Sequence, residues 1–346
     1  MPKYQSFNFK LSKKQLIALF SIIIIFSFIS LYKLPYYIYT PGKAADLEEI
    51  VKVEDGYASE GSIHLLTVGG RPATPLLFAI AKIMPHHDII PSKEARPHGI
   101  SDEDYLKSQL SLMENSQEAA LVVAYEAANA DIDITYNGVY VLGVIEGMPA
   151  SDVLEVGDLI TKINNQEISE ANDLMTYIES LDEKNEIEIN FERENQTYKK
   201  RVELEKFPNE DKVGMGIQLI TNREVEVNPD VNFSSGNIGG PSAGLMFALS
   251  IYNQLNEADL TSGFKIAGSG QLDYEGKVLP IGGIDKKVIA ADKKNIDILF
   301  APAIQTNGIS NYDEAKETAN EIKSDIEVVP VETFQDVLDY LKTVAK

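Results

Sequence analysis

Apolar residues along the chain occur in three patterns, and each pattern predicts a different part of the molecule. One unbroken apolar run covers residues 16–32 near the N-terminus. Between residues 137 and 205, apolar and polar residues alternate in short runs, as they do in half-buried strands. From residue 206 onward, short apolar strands alternate with amphipathic helices. The pattern therefore predicts an α/β protein with an N-terminal transmembrane helix, a β-rich unit and a mixed α/β unit.

The apolar run Leu16–Tyr32 is long enough to cross a membrane. As a helix its residues span about 26 Å, close to the roughly 30 Å hydrocarbon core of a bilayer. Four lysines and no acidic residue precede it, so we expect residues 1–15 to form a cytoplasmic tail and residues 16–34 an anchor. Everything after the anchor would then lie outside the cell. A cleaved signal peptide is the alternative, although no Ala-x-Ala-like site follows the run.

Residues 44–136 carry no recognisable chemistry of their own. We predict a strand over Gly61–Val68 and a short helix over Pro75–Met84, followed by a loop over Asp88–Gly99. The short helix cannot span a bilayer, so we expect it to be buried or to rest on a membrane. This segment is expected to pack with the last unit of the chain, with residues 137–205 inserted between the two.

Two capping boxes follow that loop, and they predict two successive helices. Ser101 with Asp104 would begin a helix that ends at Met113. Asn115 with Glu118 would begin a second helix that ends at Ala128.

A serine lies where a glycine-rich loop enters a helix. The loop is Gly239-Gly240-Pro241-Ser242-Ala243-Gly244, and apolar residues at helical spacing predict a helix over Ala243–Gln254. Backbone N–H groups and the positive end of the helix dipole near Ser242 are suited to hold a developing oxyanion. A helix N-cap serine in an ordinary Gly-Pro turn explains the motif equally well.

A lysine further along the chain favours the catalytic explanation. A helix over Asp285–Lys294 would put Lys287 on its apolar face and Lys286 on its wet face. A free lysine has a pKa of about 10.4, so a base that works near pH 7 needs a pKa lower by about 3 units. Desolvation on an apolar face can supply this change. A lysine that only snorkels from a helix edge is the alternative.

These two motifs are similar to those of the proteolytic domain of Lon proteases, the S16-type serine peptidases. The similarity runs from about Glu224 to the C-terminus and is strongest at Gly-Pro-Ser-Ala-Gly and over Gly276–Ala291. It implies that Ser242 is the nucleophile and Lys287 the general base. Ser269 stands where the family usually has a threonine near the dyad. The residues that would support the active site or its oxyanion are Gly240, Pro241, Ala243 and Ser269.

One position departs from the family pattern. Gly239 stands where many Lon enzymes carry an acidic residue. This difference leaves open how the active-site loop is held, and with it the activity of the resting protein.

Residues 137–205 resemble a PDZ domain. Asn137–Val141 looks like the carboxylate-binding loop and the strand after it, and Leu154–Asn164 looks like the middle signature of these domains. A helix over Glu170–Leu181 would form one wall of the groove. The resemblance implies that an extended peptide is captured as an added strand. The predicted peptide-binding residues are Gly138, Val139, Tyr140 and Val141. A β-rich spacer that only positions the last unit is the alternative.

Composition excludes several classes of function. The chain of 346 residues has a formal net charge of −22, which repels phosphate backbones and argues against nucleic-acid binding. It has no cysteine, so it offers no disulfide, thiolate zinc site or cysteine nucleophile. Its four histidines include no His-Glu-x-x-His motif, and neither a metal nor another cofactor is predicted.

Two further motifs are misleading. Gly270–Lys277 looks like a phosphate-binding loop, but five residues rather than four separate its glycines. Val278 also replaces the Ser or Thr that would bind magnesium, so no ATP-binding module is predicted. Ser262 and Lys265 match the Ser-x-x-Lys motif of penicillin-binding enzymes, but the Lys-Thr-Gly partner is missing.

The order of the three parts is similar to that of the membrane-anchored PDZ–Lon peptidases of Gram-positive bacteria. Residues 206–346 would form the proteolytic domain. The resemblance implies an ATP-independent endopeptidase of the cell membrane whose catalytic part is extracellular. Its substrates would be short or unfolded peptides, such as peptide pheromones, selected by the PDZ domain. Lon-type domains often form hexameric rings, so a homo-oligomer is allowed.

Two alternatives remain open at this stage. One is a membrane-tethered PDZ adaptor with an inactive protease domain. The other is a penicillin-binding-type acyl transferase that uses Ser262.

Overall fold

The computed structural model describes residues 12–95, 102–207, 212–306 and 308–344. In these ranges the α-helices are α1 (Lys13–Leu31), α2 (Pro75–Ala81), α3 (Asp102–Ala128), α4 (Ala171–Glu179), α5 (Gly244–Leu255), α6 (Ile284–Lys294), α7 (Asn311–Ile322) and α8 (Phe334–Val344). The strands are β1 (Tyr36–Asp46), β2 (Val51–Val53), β3 (Ser62–Pro72), β4 (Asp88–Pro91), β5 (Asp131–Val144), β6 (Leu159–Ile163), β7 (Gln166–Glu167), β8 (Glu186–Arg193), β9 (Gln196–Glu203), β10 (Glu205–Lys206), β11 (Val213–Gly214), β12 (Ile217–Asn228), β13 (Val231–Phe233), β14 (Lys265–Gly268), β15 (Gln271–Leu272), β16 (Val278–Leu279), β17 (Ile298–Pro302), β18 (Gln305–Thr306), β19 (Ile309–Ser310) and β20 (Glu327–Val331).

The chain divides into two units, which we describe separately. The first consists of Met1–Gly42 and Val68–His98, and the second of Lys43–Thr67 and Gly99–Lys346. Their elements confirm the mixed α/β fold with an apolar N-terminal helix.

In the first unit, α1 is the one helix in the described ranges that is long and apolar enough to cross a membrane. It begins earlier than the apolar run because Ser12 and Gln15 form a capping box. Helix α2 begins at Pro75, as predicted, with Thr74 as its N-cap, and ends at Ala81 rather than at Met84.

The predicted loop over Asp88–Gly99 is wrong for its first part. Residues 88–91 form β4, which pairs antiparallel with β1 from Tyr39 back to Tyr36. Ile89 packs against a small apolar core that includes Ile38, and this tertiary contact stabilises a strand in a short segment. Residues 96–99 lie outside the described ranges.

The second unit contains a PDZ-like sheet in the order β12-β5-β6-β8-β9, and β7 pairs with β6. Strands β5 and β12 form a long antiparallel ribbon that runs from the Asp131–Asn228 pair to the Val144–Ile217 pair. Helix α4 packs on this sheet through Leu174 and Ile178. The sheet therefore continues beyond residue 205, where the sequence suggested a boundary.

The remainder of the second unit is built on parallel strands in the order β20-β17-β14-β3. Because side chains alternate across a strand, one face of this sheet packs on α5 and α8 and the other on α6 and α7. Leu65 and Leu66 illustrate this, since they lie in the two different cores. Burial on both faces explains why these strands are continuously apolar.

Helix α3 is a single helix of 27 residues, so the predicted break between two helices near Glu114 is wrong. The polar residues taken for a second cap make tertiary contacts instead. Asn115 and Glu118 both accept a hydrogen bond from the Tyr274 hydroxyl. The proposed cap at Ser101 lies outside the described ranges. Met113 and Tyr125 of α3 share one core with α5, so elements before and after the PDZ sheet pack together.

Candidate active site

Ser242 lies in a short 3-10 helix, Pro241–Ala243, that leads into α5. The turn before it needs a glycine, because Gly240 has a φ of 92°. Helix α3 holds this turn at two points. The Gly240 N–H donates to the Gln109 carbonyl oxygen at 2.9 Å, and the Ser116 hydroxyl donates to the Pro241 carbonyl oxygen at 3.0 Å.

The segment after β14 holds Ser242 from the other side. The Gly270 N–H and the Ser269 hydroxyl both donate to the Ser242 carbonyl oxygen, each at 3.1 Å. The Leu245 N–H in turn donates to the Gly270 carbonyl oxygen at 3.2 Å. A serine held from two directions is fixed in one position without help from a bound substrate.

Lys287 extends from α6 and ends between two hydroxyl groups. Its Nζ lies 2.9 Å from Ser242 Oγ and 2.7 Å from Ser269 Oγ. The residue is only 3% exposed, and burial lowers the pKa of Lys287 to about 8. A useful fraction of this lysine is therefore neutral near physiological pH.

The direction of each hydrogen bond follows from the number of protons available. The one hydroxyl proton of Ser269 is donated to the Ser242 carbonyl oxygen, so Ser269 Oγ must accept a proton from Lys287. That bond holds one side of the amine. When Nζ is neutral, its lone pair is free to accept the Ser242 hydroxyl proton.

The neighbouring Lys286 was expected on the wet face of α6, and this prediction is wrong. Lys286 is 2% exposed, and its Nζ lies 2.9 Å from Asp285 Oδ2. The face assigned to solvent also carries the buried Ala290, which belongs to the core that α6 shares with α7. A helical wheel of α6 cannot show that α7 covers this side.

The structure brings the four predicted supporting residues around Ser242. Gly240 and Pro241 make the contacts with α3, Ala243 is buried at the start of α5, and Ser269 contacts both members of the pair. Ser242 is in the first turn of the 3-10 helix, where a backbone N–H has no acceptor within the helix.

The predicted peptide-binding residues do not lie at a free strand edge. Within β5, Val139 pairs with Thr221 on one side and Ile160 on the other, and Tyr140 is likewise paired on both sides. Gly138 is required because a Cβ there would lie 2.5 Å from the Ile160 carbonyl oxygen. Val141 is buried. A peptide cannot add as a strand beside Gly138, Val139, Tyr140 and Val141, so this assignment needs correction.

An apolar groove lies instead between α4 and the start of β12. Its volume is about 640 Å³. Leu174, Met175 and Ile178 of α4 form one wall. Met215 and Ile217 belong to the other wall. Strand β12 is the last strand of its sheet, so its outer edge is open to an added strand.

Two backbone N–H groups point toward this open edge. The Met215 and Gly216 carbonyl oxygens accept hydrogen bonds from Ala150 and Ile145 at 2.9 and 2.8 Å, on the protein side. In a trans peptide the N–H points opposite to the C=O. The next N–H groups, of Gly216 and Ile217, therefore face away from the protein body. Adjacent N–H groups of this kind suit a carboxylate.

The sequence contained a signal for this loop. In Gly214-Met215-Gly216-Ile217, glycines alternate with apolar residues. Gly216 has a φ of 84°. A Cβ on Gly214 would lie 2.5 Å from the Phe207 ring. The boundary drawn at residue 205 excluded this motif from the PDZ-like unit.

Other candidate sites have less support. In the described ranges, no three His, Asp or Glu side chains are grouped as metal ligands would be. Ser262 lies in a turn with a φ of 47°, and Lys265 is an exposed residue at the start of β14. This Ser-x-x-Lys motif is therefore not on a helix.

The mixed α/β part of this fold and its β-rich sheet each match a known domain family. Residues 209–343 match the family model of the Lon protease (S16) C-terminal proteolytic domain, and residues 110–204 match the family model of the PDZ domain. The chain thus carries a Lon-type proteolytic domain together with a PDZ domain.

Known relatives share one part of the chain each. The Lon protease of Campylobacter jejuni is 32% identical over 131 residues, which cover 34% of this chain and 16% of the relative. The Lon protease of Mesomycoplasma hyopneumoniae is 34% identical over 102 residues, covering 30% of this chain and 11% of the relative. The chain therefore spans only 16% and 11% of these two curated relatives. Among solved structures, the PDZ domain of an SdrC-like protein from Listeria monocytogenes has 32% sequence identity to this chain. The match covers 25% of this chain and 92% of the Listeria chain, with a TM-score of 0.24.

Proposed function

We propose that this chain is an ATP-independent serine endopeptidase that uses Ser242 as nucleophile and Lys287 as general base. The observation that carries the proposal is the 2.9 Å contact between Lys287 Nζ and Ser242 Oγ. The amine in this contact is buried, and its pKa is lowered to about 8. At pH 7 about a tenth of such lysines are neutral, which is enough for a working base.

The proposed reaction begins when neutral Lys287 accepts the Ser242 hydroxyl proton. Ser242 Oγ attacks the scissile carbonyl carbon, and the backbone N–H of Ser242 donates to the oxyanion. The ammonium of Lys287 then gives its proton to the leaving amine, and the peptide bond breaks. Neutral Lys287 then takes a proton from water, which attacks the acyl-enzyme, and the ammonium returns this proton to Ser242 Oγ as the acyl–oxygen bond breaks and the second product leaves. Ser269 keeps Nζ in place through both stages.

The PDZ groove would select the substrate. An extended peptide can pair with the open edge of β12, with its terminal carboxylate on the N–H groups of Gly216 and Ile217. The apolar walls of the groove favour an apolar side chain at that end of the peptide. Short or unfolded peptides fit this mode of binding, and secreted signalling peptides are one such class.

We further propose that α1 anchors the chain in the cell membrane with its N-terminus in the cytoplasm. The length and apolar composition of α1 support the anchor. The lysines before it support the orientation, which would put the peptidase outside the cell. A homo-oligomer is compatible with this arrangement.

The test is to incubate the full-length chain in detergent with a peptide library and to identify products by mass spectrometry. Ser242→Ala and Lys287→Met should both abolish cleavage and labelling by a serine-directed fluorophosphonate. Ser262→Ala is the matched control and should remain active. Cleavage that survives either dyad substitution would contradict that residue's role. Peptide binding without cleavage or labelling in the unchanged chain would favour the adaptor.

A further inference from the structure

In the first unit, α2 and the turn after it expose a continuous apolar surface. Leu76 and Ile80 of α2 are 39% and 42% exposed, and Ile83 and Met84 in the following turn are 84% and 49% exposed. Their spacing of three to four residues puts them on one side of the helix. Single exposed apolar residues are ordinary, but a contiguous patch marks an interaction surface.

The opposite side of α2 is already used by the core of this unit. Leu77, Phe78 and Ala81 pack with Ile38 and Ala73. The exposed side chains are therefore not needed to attach α2 to the unit. They form a second apolar face, which we call the outer face of α2 (Leu76, Ile80, Ile83 and Met84).

The outer face lies next to the end of the proposed membrane anchor. Just after α1, the Leu34 N–H donates to the Ala73 carbonyl oxygen at 2.8 Å, directly before α2. The Ala73 N–H donates to the Tyr36 carbonyl oxygen, also at 2.8 Å. These two bonds tie the start of α2 to the exit of α1. Since α2 is only about 10 Å long, all of it remains close to that exit.

The residues around the outer face suit a membrane interface. Lys82 is exposed at the end of α2, and its Nζ lies 5.0 Å from the centroid of the Phe78 ring. A lysine at this place can lay its stem along apolar groups and keep its charge in the headgroups. Tyr32, just after α1, and Tyr36, the first residue of β1, are of a type that favours the same layer.

We propose that the outer face of α2 inserts into the lipid interface beside α1, so that the first unit contacts the membrane at two places. The partner is the lipid surface itself. Continuity with the anchor favours lipid over another protein, because every residue of the face lies near the point where α1 leaves the bilayer. The inference rests on the proposed anchor and is independent of the peptidase activity.

The composition of the chain allows a direct test, because it contains no tryptophan. Each single-tryptophan variant of the full-length chain reports one position. Ile83→Trp would be reconstituted in phosphatidylcholine vesicles with and without brominated acyl chains. We expect blue-shifted emission that is lost in the brominated vesicles. Met84→Trp repeats the measurement at a neighbour, in case the first variant folds poorly.

Two further variants calibrate the result. Leu19→Trp, within α1, should be quenched if the anchor spans the bilayer. Ile309→Trp, in the second unit and 63% exposed in the unchanged chain, should emit in the red and remain unquenched. If Ile83→Trp and Met84→Trp behave like Ile309→Trp, the proposal is wrong.

Two other outcomes would also contradict the proposed insertion of the outer face of α2. Blue-shifted emission at Ile83 without quenching would mean that protein, either a partner or a second copy, covers the outer face. Absence of quenching at Leu19 would remove the anchor and this proposal with it. None of these results depends on whether the chain cleaves peptides.

Discussion

Lys286 and Lys287 are neighbours on one helix, both are buried, and their surroundings are of opposite kinds. Lys286 lies against the Asp285 carboxylate at 2.9 Å. Lys287 contacts the hydroxyls of Ser242 and Ser269, and burial lowers its pKa to about 8. A nearby carboxylate favours the charged form of a lysine, whereas burial disfavours it. At Lys287 burial alone lowers the pKa, whereas at Lys286 a carboxylate lies beside the buried amine.

The largest expected difference is in activity. Lys287→Met should lower the rate of fluorophosphonate labelling of Ser242 by at least about a thousandfold, because the base is lost. Lys286→Met should label at nearly the rate of the unchanged chain. Comparable losses in both variants would show that the ion pair, too, is needed for reaction.

The second difference is in stability, where we expect opposite signs. Lys287 has a lowered pKa in the folded chain, so at pH 7 folding carries the full cost of keeping the ammonium buried. A shift of this size corresponds to about 3 kcal/mol, and Lys287→Met should raise the free energy of unfolding by up to this amount. Lys286→Met removes the amine beside the Asp285 carboxylate and should lower the free energy of unfolding by about 1–3 kcal/mol. Thermal unfolding in detergent at pH 7 measures both.

The matched control for stability is Lys293→Met, an exposed position on the same helix, which should change the free energy of unfolding by less than about 0.5 kcal/mol. The pH dependence gives a further check. Between about pH 8 and pH 10.4 the unfolded chain binds more protons at Lys287 than the folded one, so this contribution to stability rises with pH. A Lys287→Met variant that is less stable than the unchanged chain would contradict this account.

The third difference is in the pH profile of labelling. With a pKa of about 8, the neutral share of Lys287 and the labelling rate should rise about fiftyfold from pH 6 to pH 8 and level off above about pH 9. Lys286→Met should leave the midpoint in place. Ser269→Asp would give Lys287 a carboxylate neighbour, as Lys286 has, and should move the midpoint upward. A midpoint that does not respond to this change would disprove the role assigned to neighbouring charge.

The smallest effect concerns the orientation of the amine. Ser269→Ala removes one hydrogen bond to Lys287 Nζ, so the labelling rate should fall about tenfold, the kinetic equivalent of about 1.4 kcal/mol. Ser269→Thr keeps the hydroxyl and should retain most of the rate. Equal losses in both variants would point to packing at this buried position instead.

Local sequence was sufficient for some of these features. The loop before α5 and the apolar face of α6 placed Ser242 and Lys287 correctly on their elements, because glycine and helical periodicity act over a few residues. The prediction of a solvent-facing side of α6 was wrong because Ala290, on the same side as Lys286, packs in a core shared with α7, which comes later in the chain. The long helix α3 was missed because Asn115 and Glu118 are bonded to Tyr274, more than 150 residues away.

The prediction of the peptide-binding residues was wrong for a similar reason. Whether a strand has an open edge depends on which strands pair with it, and β5 takes its second partner, β12, from about 80 residues further on. The backbone pairing of Val139 is therefore not visible in its own neighbourhood. The alternating glycines at Gly214 and Gly216 were a local signal, but only the completed sheet shows that they lie at its edge.

The ribbon of β5 and β12 has a consequence for how such a protein can change over time. Because Asp131 and Asn228 face each other as a pair at its base, the chain enters and leaves the whole PDZ-like sheet through two adjacent points. A module attached in this way can be exchanged or lost by recombination, and a short hairpin turn between these two residues would close the chain again. Under the proposed function, the recognition of substrates would thus be separable from the chemistry that cuts them, and new specificities could be acquired without rebuilding the catalytic core.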